Sequence, residues 1–334
     1  MKLLFIGGTG NISAHCVELA LRRGGYEITV VNRAQRKVAF DGPVTTIVGD
    51  RHDRALLRQV AESGHYDVVA DFIGYTPEEA EDDIRAFTGQ TGQFIYISSV
   101  AAYQKPPHDY LMNEATPLSN PFWPYGQNKA ISEEILHRAY RDQGFPVTIV
   151  RPWHTYGRGV VPTSLAGGGY TTVDRVRKGL PIVCHGDGQS LWGLTHSADL
   201  AVGFLGLCGN PLAIGEAFHI TTDEILTWDQ IYQTIARSAG VAEATLVHIA
   251  SEMIARYYPQ QGLALLGDLA YSSVYDNSKI KRYVPEYRTT VRWAQGSAAS
   301  IAWMDADPAR RTVDEKLNAM YDHLVSLQQS WLSV

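Results

Sequence analysis

The sequence has few cysteines, no excess of basic residues and no long apolar run. Its three cysteines, Cys16, Cys184 and Cys208, lie far apart without the paired spacing of metal ligands. This predicts a reducing compartment, no disulfide framework and no metal site. The formal net charge is -6 and no lysine- or arginine-rich block occurs, which argues against nucleic acid as a partner. No apolar stretch reaches membrane-spanning length, so we expect a soluble cytoplasmic protein with no membrane partner.

The chain opens with a short apolar segment that ends in a glycine turn. Residues 3–6 are apolar without alternation, as in a strand buried on both faces of a parallel sheet, and Gly7-Gly8-Thr9-Gly10 follows them. Apolar residues then recur at helical spacing until Gly24-Gly25, which predicts a helix. Free N–H groups at such a helix start bind the pyrophosphate of a dinucleotide, although Ser13 stands where the usual fingerprint has a third glycine. The residues predicted to bind the cofactor here are Gly7, Thr9, Gly10, Asn11 and Ile12.

Predicted strands and helices alternate along much of the chain. Further strands are predicted at residues 26–31, 44–48, 66–72, 93–97, 147–150 and 217–220. Helices are predicted at residues 55–62, 77–87, 125–140, 197–207, 228–239 and 312–332. This order predicts an α/β fold, a doubly wound parallel sheet of Rossmann type. Residues 1–160 would form the dinucleotide-binding domain, which also receives about 195–240, while 161–194 and 241–334 form a smaller, mixed substrate-binding region.

Polar residues follow the second and third predicted strands, at the edge where parallel sheets bind ligands. Asn32 and Arg33 end the second strand, where the ribose of a dinucleotide lies. No acidic residue stands there, and Arg33, with Arg36 or Lys37 nearby, can pair with a 2′-phosphate, so the charge favours NADP over NAD. Asp50 follows the third strand and can either accept a hydrogen bond from the adenine amino group or cap the next helix.

Tyr125 and Lys129 are one helical turn apart at the start of a predicted helix, so their side chains project from the same face. The pKa of an ordinary tyrosine is about 10, and a neighbouring ammonium stabilises the phenolate and lowers that pKa. Ser99, after the fifth predicted strand, can hold a substrate oxygen while Tyr125 exchanges its proton. These three residues therefore predict acid–base chemistry.

Taken in order, these motifs resemble the extended branch of the short-chain dehydrogenase/reductase superfamily, the NAD-dependent epimerase/dehydratase family. The resemblance covers nearly the whole chain, and its matching segments are residues 7–10, 50, 96–103, 114–118, 125–129, 151–152, 156–157, 186–188, 196 and 276–279. It implies that Ser99 takes the catalytic serine position, that Tyr125 is the acid–base and that Lys129 also holds the nicotinamide ribose. It further implies a sugar-like substrate and, as in many relatives, pairing of two chains through the Tyr125 helix. Additional cofactor contacts are implied at Arg51, Ile73, Ser98 and Pro152.

Departures from the family pattern bear on the substrate, and the clearest is Trp192, where many relatives that bind nucleotide sugars carry an arginine for the diphosphate. An indole cannot make that contact, so either Arg288 or Arg292 replaces it or the substrate has no diphosphate. His154 stands where relatives often have asparagine, so it either contacts the substrate or packs within its loop. Gly167-Gly168-Gly169 predicts a mobile segment over the cleft. The candidate substrate residues are Tyr103, His154, Trp192 and Arg292.

The residues after Ser99 bear on the type of reaction. Dehydratases of this family place an Asp-Glu pair there, but Val100-Ala101 follows in this chain, which disfavours elimination. An epimerase of a sugar or nucleotide sugar, for which family habit favours NAD, is the preferred expectation. The alternative is an NADP-dependent reductase or dehydrogenase of a carbonyl substrate without a nucleotide. A third reading, a nucleotide-sensing or RNA-associated binding protein, is disfavoured by the acidic charge and by the presence of Ser99, Tyr125 and Lys129.

Overall fold

The computed structural model describes residues 1–36, 38–165 and 169–332. Lys37, Gly167 and Gly168, which entered the sequence predictions, lie outside these ranges. The strands are β1 (Lys2–Ile6), β2 (Glu27–Asn32), β3 (Thr45–Val48), β4 (Tyr66–Asp71), β5 (Thr91–Ile97), β6 (Leu111–Met112), β7 (Val147–Pro152), β8 (His154–Tyr156), β9 (Ile182–His185), β10 (Leu191–Trp192), β11 (Leu194–His196), β12 (Ala217–Ile220), β13 (Leu226–Thr227), β14 (Leu246–Ile249) and β15 (Val274–Tyr275). The α-helices are α1 (Ser13–Arg23), α2 (Arg54–Ser63), α3 (Pro77–Phe87), α4 (Pro124–Gln143), α5 (Gly169–Arg177), α6 (Ser197–Leu207), α7 (Trp228–Ser238), α8 (Ser251–Tyr257), α9 (Pro259–Ala264), α10 (Ser278–Tyr283), α11 (Trp293–Asp305) and α12 (Glu315–Leu332).

Seven strands form one sheet in the order β12-β7-β5-β4-β1-β2-β3, and every neighbouring pair in it is parallel. From β1 the chain builds β2 and β3 on one side and then returns to build β4, β5 and β7 on the other. The carboxyl ends of β1 and its neighbours therefore form a topological switch point, where ligands bind in folds of this kind. The doubly wound Rossmann-type sheet predicted from the sequence is confirmed.

The sheet is covered by helices on both faces, which explains why its central strands are apolar without alternation. On one face, α1 and α6 pack together over a core that includes Cys16, Phe5 and Phe204. On the other face, α2, α3 and α4 cover a second core that includes Leu57 and Phe87. Both faces of the sheet are therefore closely packed against helices, and polar residues stand at its carboxyl edge.

A third apolar core lies in the mixed region that contains the short strands. It is rich in buried indoles, namely Trp153, Trp192, Trp228 and Trp293. Its two-stranded pairs are β10–β13, which is antiparallel, and β8–β11, β9–β14 and β6–β15, which are parallel. Large aromatic side chains supply much of the buried apolar area where the strands themselves are too short to do so. The prediction of a mixed second region is confirmed.

The structure identifies the caps of α6 and α2, and it contradicts the alternative in which Asp50 caps the second of these helices. Ser197 is the first residue of α6, and the cap is His196, whose Nδ1 accepts from the Ala198 N–H at 3.2 Å. At α2 the cap is Asp53, which accepts from two backbone N–H groups, and not Asp50. Local spacing leaves the capping residue uncertain by a few positions, because several polar residues stand in a row. In the described ranges no helix combines the length and apolarity that a membrane crossing requires.

Candidate active site

The glycine turn after β1 brings strand, turn and helix into close contact. Gly7 has φ +88°, a conformation that other residues rarely adopt, and a Cβ there would lie 2.7 Å from Cγ2 of Ile73. A Cβ on Gly8 would lie 2.5 Å from Cγ1 of Val30. Only glycine therefore fits at either position without displacing a neighbouring side chain.

Ser13 takes the place of the third glycine and closes the turn with hydrogen bonds. Its buried hydroxyl donates to the Gly7 carbonyl at 2.6 Å and accepts from the Gly10 N–H at 2.9 Å. At the start of α1, the N-cap residue Ile12 makes no side-chain capping hydrogen bond. The helix N-terminus thus has no capping side chain of its own, which is the arrangement that binds an anionic phosphate.

A groove of about 700 Å³ extends from this turn along the carboxyl ends of β2, β3 and β4. Four separate segments of the chain line it. The predicted cofactor residues in the lining are Gly7, Thr9, Gly10, Asn11, Ile12, Asn32, Arg33, Asp50, Arg51 and Ile73. A groove of this size beside an uncapped helix N-terminus fits a dinucleotide: the glycine turn would hold the pyrophosphate, and Asn32 with Arg33 the adenosine ribose.

The rim of the groove at the end of β2 carries an exposed cation. The Arg33 side chain is 61% exposed, and its Nη1 is 3.9 Å from Oδ2 of Asp50, too far for a hydrogen bond. Asp50 instead accepts from the backbone N–H of His52 at 3.0 Å and pairs with its ring Nδ1 at 2.7 Å. These hydrogen bonds lower the pKa of Asp50. The Asn32 side-chain oxygen accepts from the Ala34 N–H at 2.7 Å, which orders the turn that carries Arg33.

Arg51 lines the groove, but its guanidinium is not available to a ligand, so the predicted cofactor contact at this residue would have to come from its backbone. The side chain is 2% exposed and lies 3.0 Å from Asp71, 2.7 Å from Asp83 and 3.4 Å from Glu79. Burial opposes the charge, but the three carboxylates outweigh it and raise the pKa of Arg51. Burial and the nearby Asp71 carboxylate raise the pKa of Asp83 well above its usual range. This arginine therefore has a structural function beneath the groove.

The three acidic partners of Arg51 were not predicted from the sequence, although Asp71 ends a buried strand at the ligand edge. Asp71 and Glu79 also shape the loop after β4. Oδ1 of Asp71 accepts from the Ile73 N–H at 2.8 Å, and Oε2 of Glu79 accepts from the Thr76 N–H at 2.8 Å. The loop that forms one wall of the groove is thus fixed to the buried ion cluster.

Ser99, Tyr125 and Lys129 come together beside this loop. The Ser99 hydroxyl accepts from the Ala101 N–H at 3.1 Å and is close enough to the Tyr125 side chain to act on the pKa of its phenol. Lys129 is buried, donates to the carbonyls of Gly74 and Ile97, each at 2.6 Å, and lies 5.9 Å from the centroid of the Tyr125 ring. The three groups of the predicted acid–base site are therefore neighbours.

Tyr75 connects this set to the dinucleotide groove. It is one of the residues that line the groove, and its ring centroid lies 6.4 Å from that of Tyr125. The Lys129 ammonium is 5.1 Å from the Tyr75 ring centroid, on the same side of the molecule. A ligand that extends along the groove past Tyr75 would thus reach the hydroxyl and ammonium groups.

The protonation states at this site differ from those that the sequence predicts. Burial raises the pKa of Tyr125 to about 12, although the Ser99 hydroxyl acts in the opposite direction. Burial lowers the pKa of Lys129 to about 8, and Asp71 opposes that shift. The expected lowering of the Tyr125 pKa by Lys129 is not found, because the ammonium is directed to two carbonyl groups. At neutral pH the phenol is protonated and the ammonium charged, so the site is set to donate a proton.

Two residues that were predicted to contact the cofactor or the substrate form their hydrogen bonds inside the protein instead. The Ser98 hydroxyl donates to Glu133, and both side chains are buried. The Tyr103 hydroxyl accepts from Arg151 Nη1 at 2.7 Å and forms a second hydrogen bond with His219 Nε2, and its ring is completely buried. The prediction that Tyr103 contacts the substrate is therefore wrong, and so is a cofactor contact by the Ser98 hydroxyl. Pro152 is buried at the end of β7.

Trp192 belongs to the aromatic core, and its prediction as a substrate residue is wrong. Its side chain is 1% exposed, and its Nε1 donates to Nδ1 of His154 at 3.1 Å. Burial lowers the pKa of His154 to about 4, so the imidazole is neutral at physiological pH. Of the two alternatives for His154, the structure favours the packed one, because its Nδ1 serves the indole. Arg292 is exposed at the start of α11, outside the residues that line the groove.

The groove and the side chains beside it both indicate one class of protein, the first by its suitability for a cofactor and the second by their acid–base chemistry. A dinucleotide-shaped groove at a sheet switch point, next to groups that hold an oxygen and donate a proton, is typical of an NAD(P)-dependent enzyme. The chain belongs to the NAD dependent epimerase/dehydratase family, whose profile matches residues 3–220. The family resemblance found in the sequence, and the conclusion that the protein is an enzyme, are both confirmed.

Individual relatives are distant. The chain is 25% identical to the chloroplast stem-loop binding protein of 41 kDa b from Arabidopsis thaliana, over 74% of this chain and 65% of that protein. It is 24% identical to the 2'-dehydrokanamycin reductase of Streptomyces kanamyceticus, over 86% of this chain and 80% of that protein. Among solved structures, the UDP-glucose 4-epimerase of Bifidobacterium longum in complex with NAD+ and UDP superposes with a TM-score of 0.73 at 19% identity, covering 93% and 100% of the two chains. That last match is evidence for the fold.

Proposed function

We propose that this protein transfers a hydride between a nicotinamide cofactor and a secondary alcohol or ketone of a sugar-like small molecule. The observation that carries the proposal is the proximity of Ser99, Tyr125 and Lys129: Ser99 is close enough to act on the pKa of Tyr125, and Lys129 lies one helical turn further on, with the groove adjacent. Acid–base groups of this kind exchange the proton of the reacting oxygen while hydride moves at the carbon.

In the direction of reduction, each side chain has a separate task. A bound NAD(P)H supplies the hydride to the carbonyl carbon. Ser99 donates a hydrogen bond to the carbonyl oxygen, and Tyr125, which is protonated at neutral pH, gives that oxygen its proton. The Lys129 ammonium, which donates to the Gly74 and Ile97 carbonyls, would bind the ribose hydroxyls of the cofactor. In the direction of oxidation the same groups take the proton back.

Within this chemistry, the buried Trp192 favours a net reductase or dehydrogenase. The position where many relatives carry the diphosphate-binding arginine is occupied by an indole whose only polar atom donates to His154. A substrate without a diphosphate fits that replacement. The alignment with the 2'-dehydrokanamycin reductase over 80% of its length is consistent with a substrate of that kind.

An epimerase is the second candidate, because the family takes its name from epimerases and dehydratases. Such an enzyme would oxidise a sugar carbinol and return the hydride to the other face of the ketone with its own retained cofactor. Elimination is disfavoured, since Val100 and Ala101 are buried apolar residues and supply no carboxylate after Ser99. Both candidates use Ser99, Tyr125 and Lys129 in the same way.

The cofactor we propose is NADP in preference to NAD. Arg33 is the exposed cation at the groove rim, Arg36 also lines the groove, and Asn32 replaces the acidic residue that selects an unphosphorylated ribose. A guanidinium binds a phosphate through two parallel N–H donors, which is a contact that a hydroxyl cannot reproduce.

These proposals are tested by measuring the absorbance and mass of the nucleotide that is released when freshly purified protein is denatured. Protein that binds added NADPH and oxidises it in the presence of a keto sugar is a reductase. Protein that retains NAD and interconverts two epimers, with no net change in absorbance at the reduced-nicotinamide band, is an epimerase. Failure to bind either dinucleotide would refute both.

The stem-loop binding protein among the relatives raises RNA binding as a distinct function, and the charge argues against it. The net charge of -6 would repel a polyanion, and phosphate contacts supply most of the affinity of non-specific nucleic-acid binding. We expect no saturable binding of a labelled RNA hairpin by fluorescence anisotropy at physiological salt. Tight binding at that salt concentration would establish RNA binding as a function of the protein.

A further inference from the structure

Outside the groove, three potential metal ligands converge in the mixed region of the fold. Cys184 on β9 and His248 on β14 are paired residues of neighbouring parallel strands. Asp229 lies in the first turn of α7. One ligand atom from each of the three side chains, the Cys184 Sγ, an Asp229 carboxylate oxygen and a His248 ring nitrogen, lies within 4.8 Å of the other two. Chain spacing gave no sign of this set, because its members belong to three different elements.

The backbone passes close to the cluster at Gly188. This residue has φ +73°, and a Cβ there would lie 2.0 Å from Oδ1 of Asp229 and 2.8 Å from Nε2 of His248. A side chain at this position would therefore collide with two of the three ligands. Only glycine lets the loop after β9 pass directly against them.

The charged groups that act on the Cys184 thiol are the carboxylates of Asp229 and Asp187. Cys184 is completely buried, and burial, then Asp229 and Asp187, raises the pKa of its thiol. The same anionic surroundings favour a bound cation, which deprotonates a thiol on coordination.

The present hydrogen bonds of the cluster are compatible with exchange for a metal. His248 Nε2 and Asp229 Oδ1 are 2.8 Å apart, a hydrogen-bond distance, and two ligands of one tetrahedral Zn²⁺ would lie about 3.3 Å apart, so a small shift of the two side chains would admit the ion. The other Asp229 oxygen accepts from Gln189 Nε2 at 3.0 Å, which fixes the orientation of the carboxylate. The Asp229 and His248 side chains are 27% and 39% exposed, so solvent and ions reach the site.

We propose that Cys184, Asp229 and His248 bind a divalent cation of borderline softness, Zn²⁺ or Co²⁺, with solvent at a fourth position. Sulfur, nitrogen and oxygen donors in one tetrahedral set suit these ions and not Mg²⁺ or Ca²⁺, which select oxygen. The ion would fasten the start of α7 to the β9–β14 pair. Trp228, the residue before Asp229, has its ring centroid 5.2 Å from that of His185 and 6.3 Å from that of His154, so the ion would also stabilise the aromatic core there.

Co²⁺ titration of the metal-free, full-length protein tests the site by absorption spectroscopy. We expect one equivalent to bind with a sulfur-to-cobalt charge-transfer band and tetrahedral d–d bands, and Zn²⁺ to displace it. Cys184→Ser abolishes the charge-transfer band. The His248 side chain is partly exposed, so His248→Gln should leave the fold intact. This variant should bind Zn²⁺ at least ~10-fold more weakly, and Zn²⁺ should no longer raise its Tm as it does for the wild type.

Cys208→Ser is the matched control, because Cys208 is also a buried free thiol whose pKa is raised by burial, and it lies outside the cluster. This variant keeps the charge-transfer band. The proposal is overturned if wild-type protein shows no sulfur-to-cobalt band at millimolar Co²⁺. It is equally overturned if the band survives in Cys184→Ser, or if His248→Gln binds Zn²⁺ as tightly as the wild type.

Discussion

The carboxyl edge of the parallel sheet and the aromatic region beside it use polar side chains in opposite ways. At the sheet edge, Arg33 projects from the rim of the groove and the first turn of α1 has no capping side chain. In the aromatic region, Tyr103 and Trp192 are buried and their polar atoms are bound to His219 and His154. The first region has hydrogen-bonding capacity left for a ligand, whereas the second has used its capacity to stabilise the fold.

The comparison is tested most strongly by removing one hydroxyl from each region. Tyr125→Phe should lower kcat by about 10²- to 10⁴-fold, because the Tyr125 hydroxyl is the proton donor of the proposed reaction. Its dinucleotide Kd and its free energy of unfolding should change little. Steady-state kinetics, titration of NADPH fluorescence and urea denaturation measure the three quantities.

Tyr103→Phe is the counterpart in the aromatic region. It should retain kcat but lose about 1–3 kcal/mol of unfolding free energy, because Arg151 and His219 each lose a buried hydrogen-bond partner. If Tyr125→Phe retained full turnover, or if Tyr103→Phe lost turnover without losing stability, the division between the two regions would be wrong.

The next largest effect is expected beneath the groove, where Arg51 is surrounded by carboxylates. Arg51→Met should reduce the free energy of unfolding by about 3–5 kcal/mol, because it leaves buried Asp71 and Asp83 without their counter-charge. Arg54→Gln, three residues away, is the control: that side chain is 68% exposed in its ion pair with Asp82, so its loss should change the free energy of unfolding very little. Equal losses in the two variants, by urea denaturation, would show that the buried cluster is not a structural centre.

The two regions also differ in how well their sequence predicts them. Helix α3 was predicted to the residue, since Thr76, Pro77 and Glu79 form a local start signal that the structure shows as a capping box. The ends of parallel strands meet at one edge by topology, so Gly7, Asn32 and Asp50 could be placed together without knowing their contacts. The partners of Tyr103 and Trp192 lie far along the chain, and only three-dimensional packing brings them together. For the same reason the carboxylates around Arg51 were missed.

At the groove rim, the exposed Arg33 should give the protein a higher affinity for NADP than for NAD. Arg33→Ala should weaken NADP binding about tenfold and NAD binding much less, because only NADP has a 2′-phosphate for the guanidinium. Arg58→Ala, at an exposed position of α2, should leave both affinities unchanged. Isothermal titration calorimetry gives both dissociation constants, and equal losses for NAD and NADP would indicate that Arg33 stacks on adenine.

The smallest expected effect is the pH dependence of cofactor binding through Lys129. Burial lowers the pKa of this lysine to about 8, so the ammonium is complete below that pH and is lost as pH rises through it. If the cofactor binds only the ammonium form, Kd should increase about fourfold between pH 7 and 8.5. Lys129→Met should bind more weakly at every pH and show no such step. A wild-type Kd that stays constant from pH 7 to 9 would contradict the assignment.

The account depends on one arrangement, in which the glycine turn holds the pyrophosphate and the reactive ring reaches Tyr125 and Lys129. A crystal structure of the protein with bound NADP⁺ tests it directly. We predict the pyrophosphate at the start of α1, the 2′-phosphate at Arg33 and the nicotinamide beside the Tyr125 hydroxyl. A nucleotide bound away from the glycine turn, or a nicotinamide remote from Tyr125, would contradict the account.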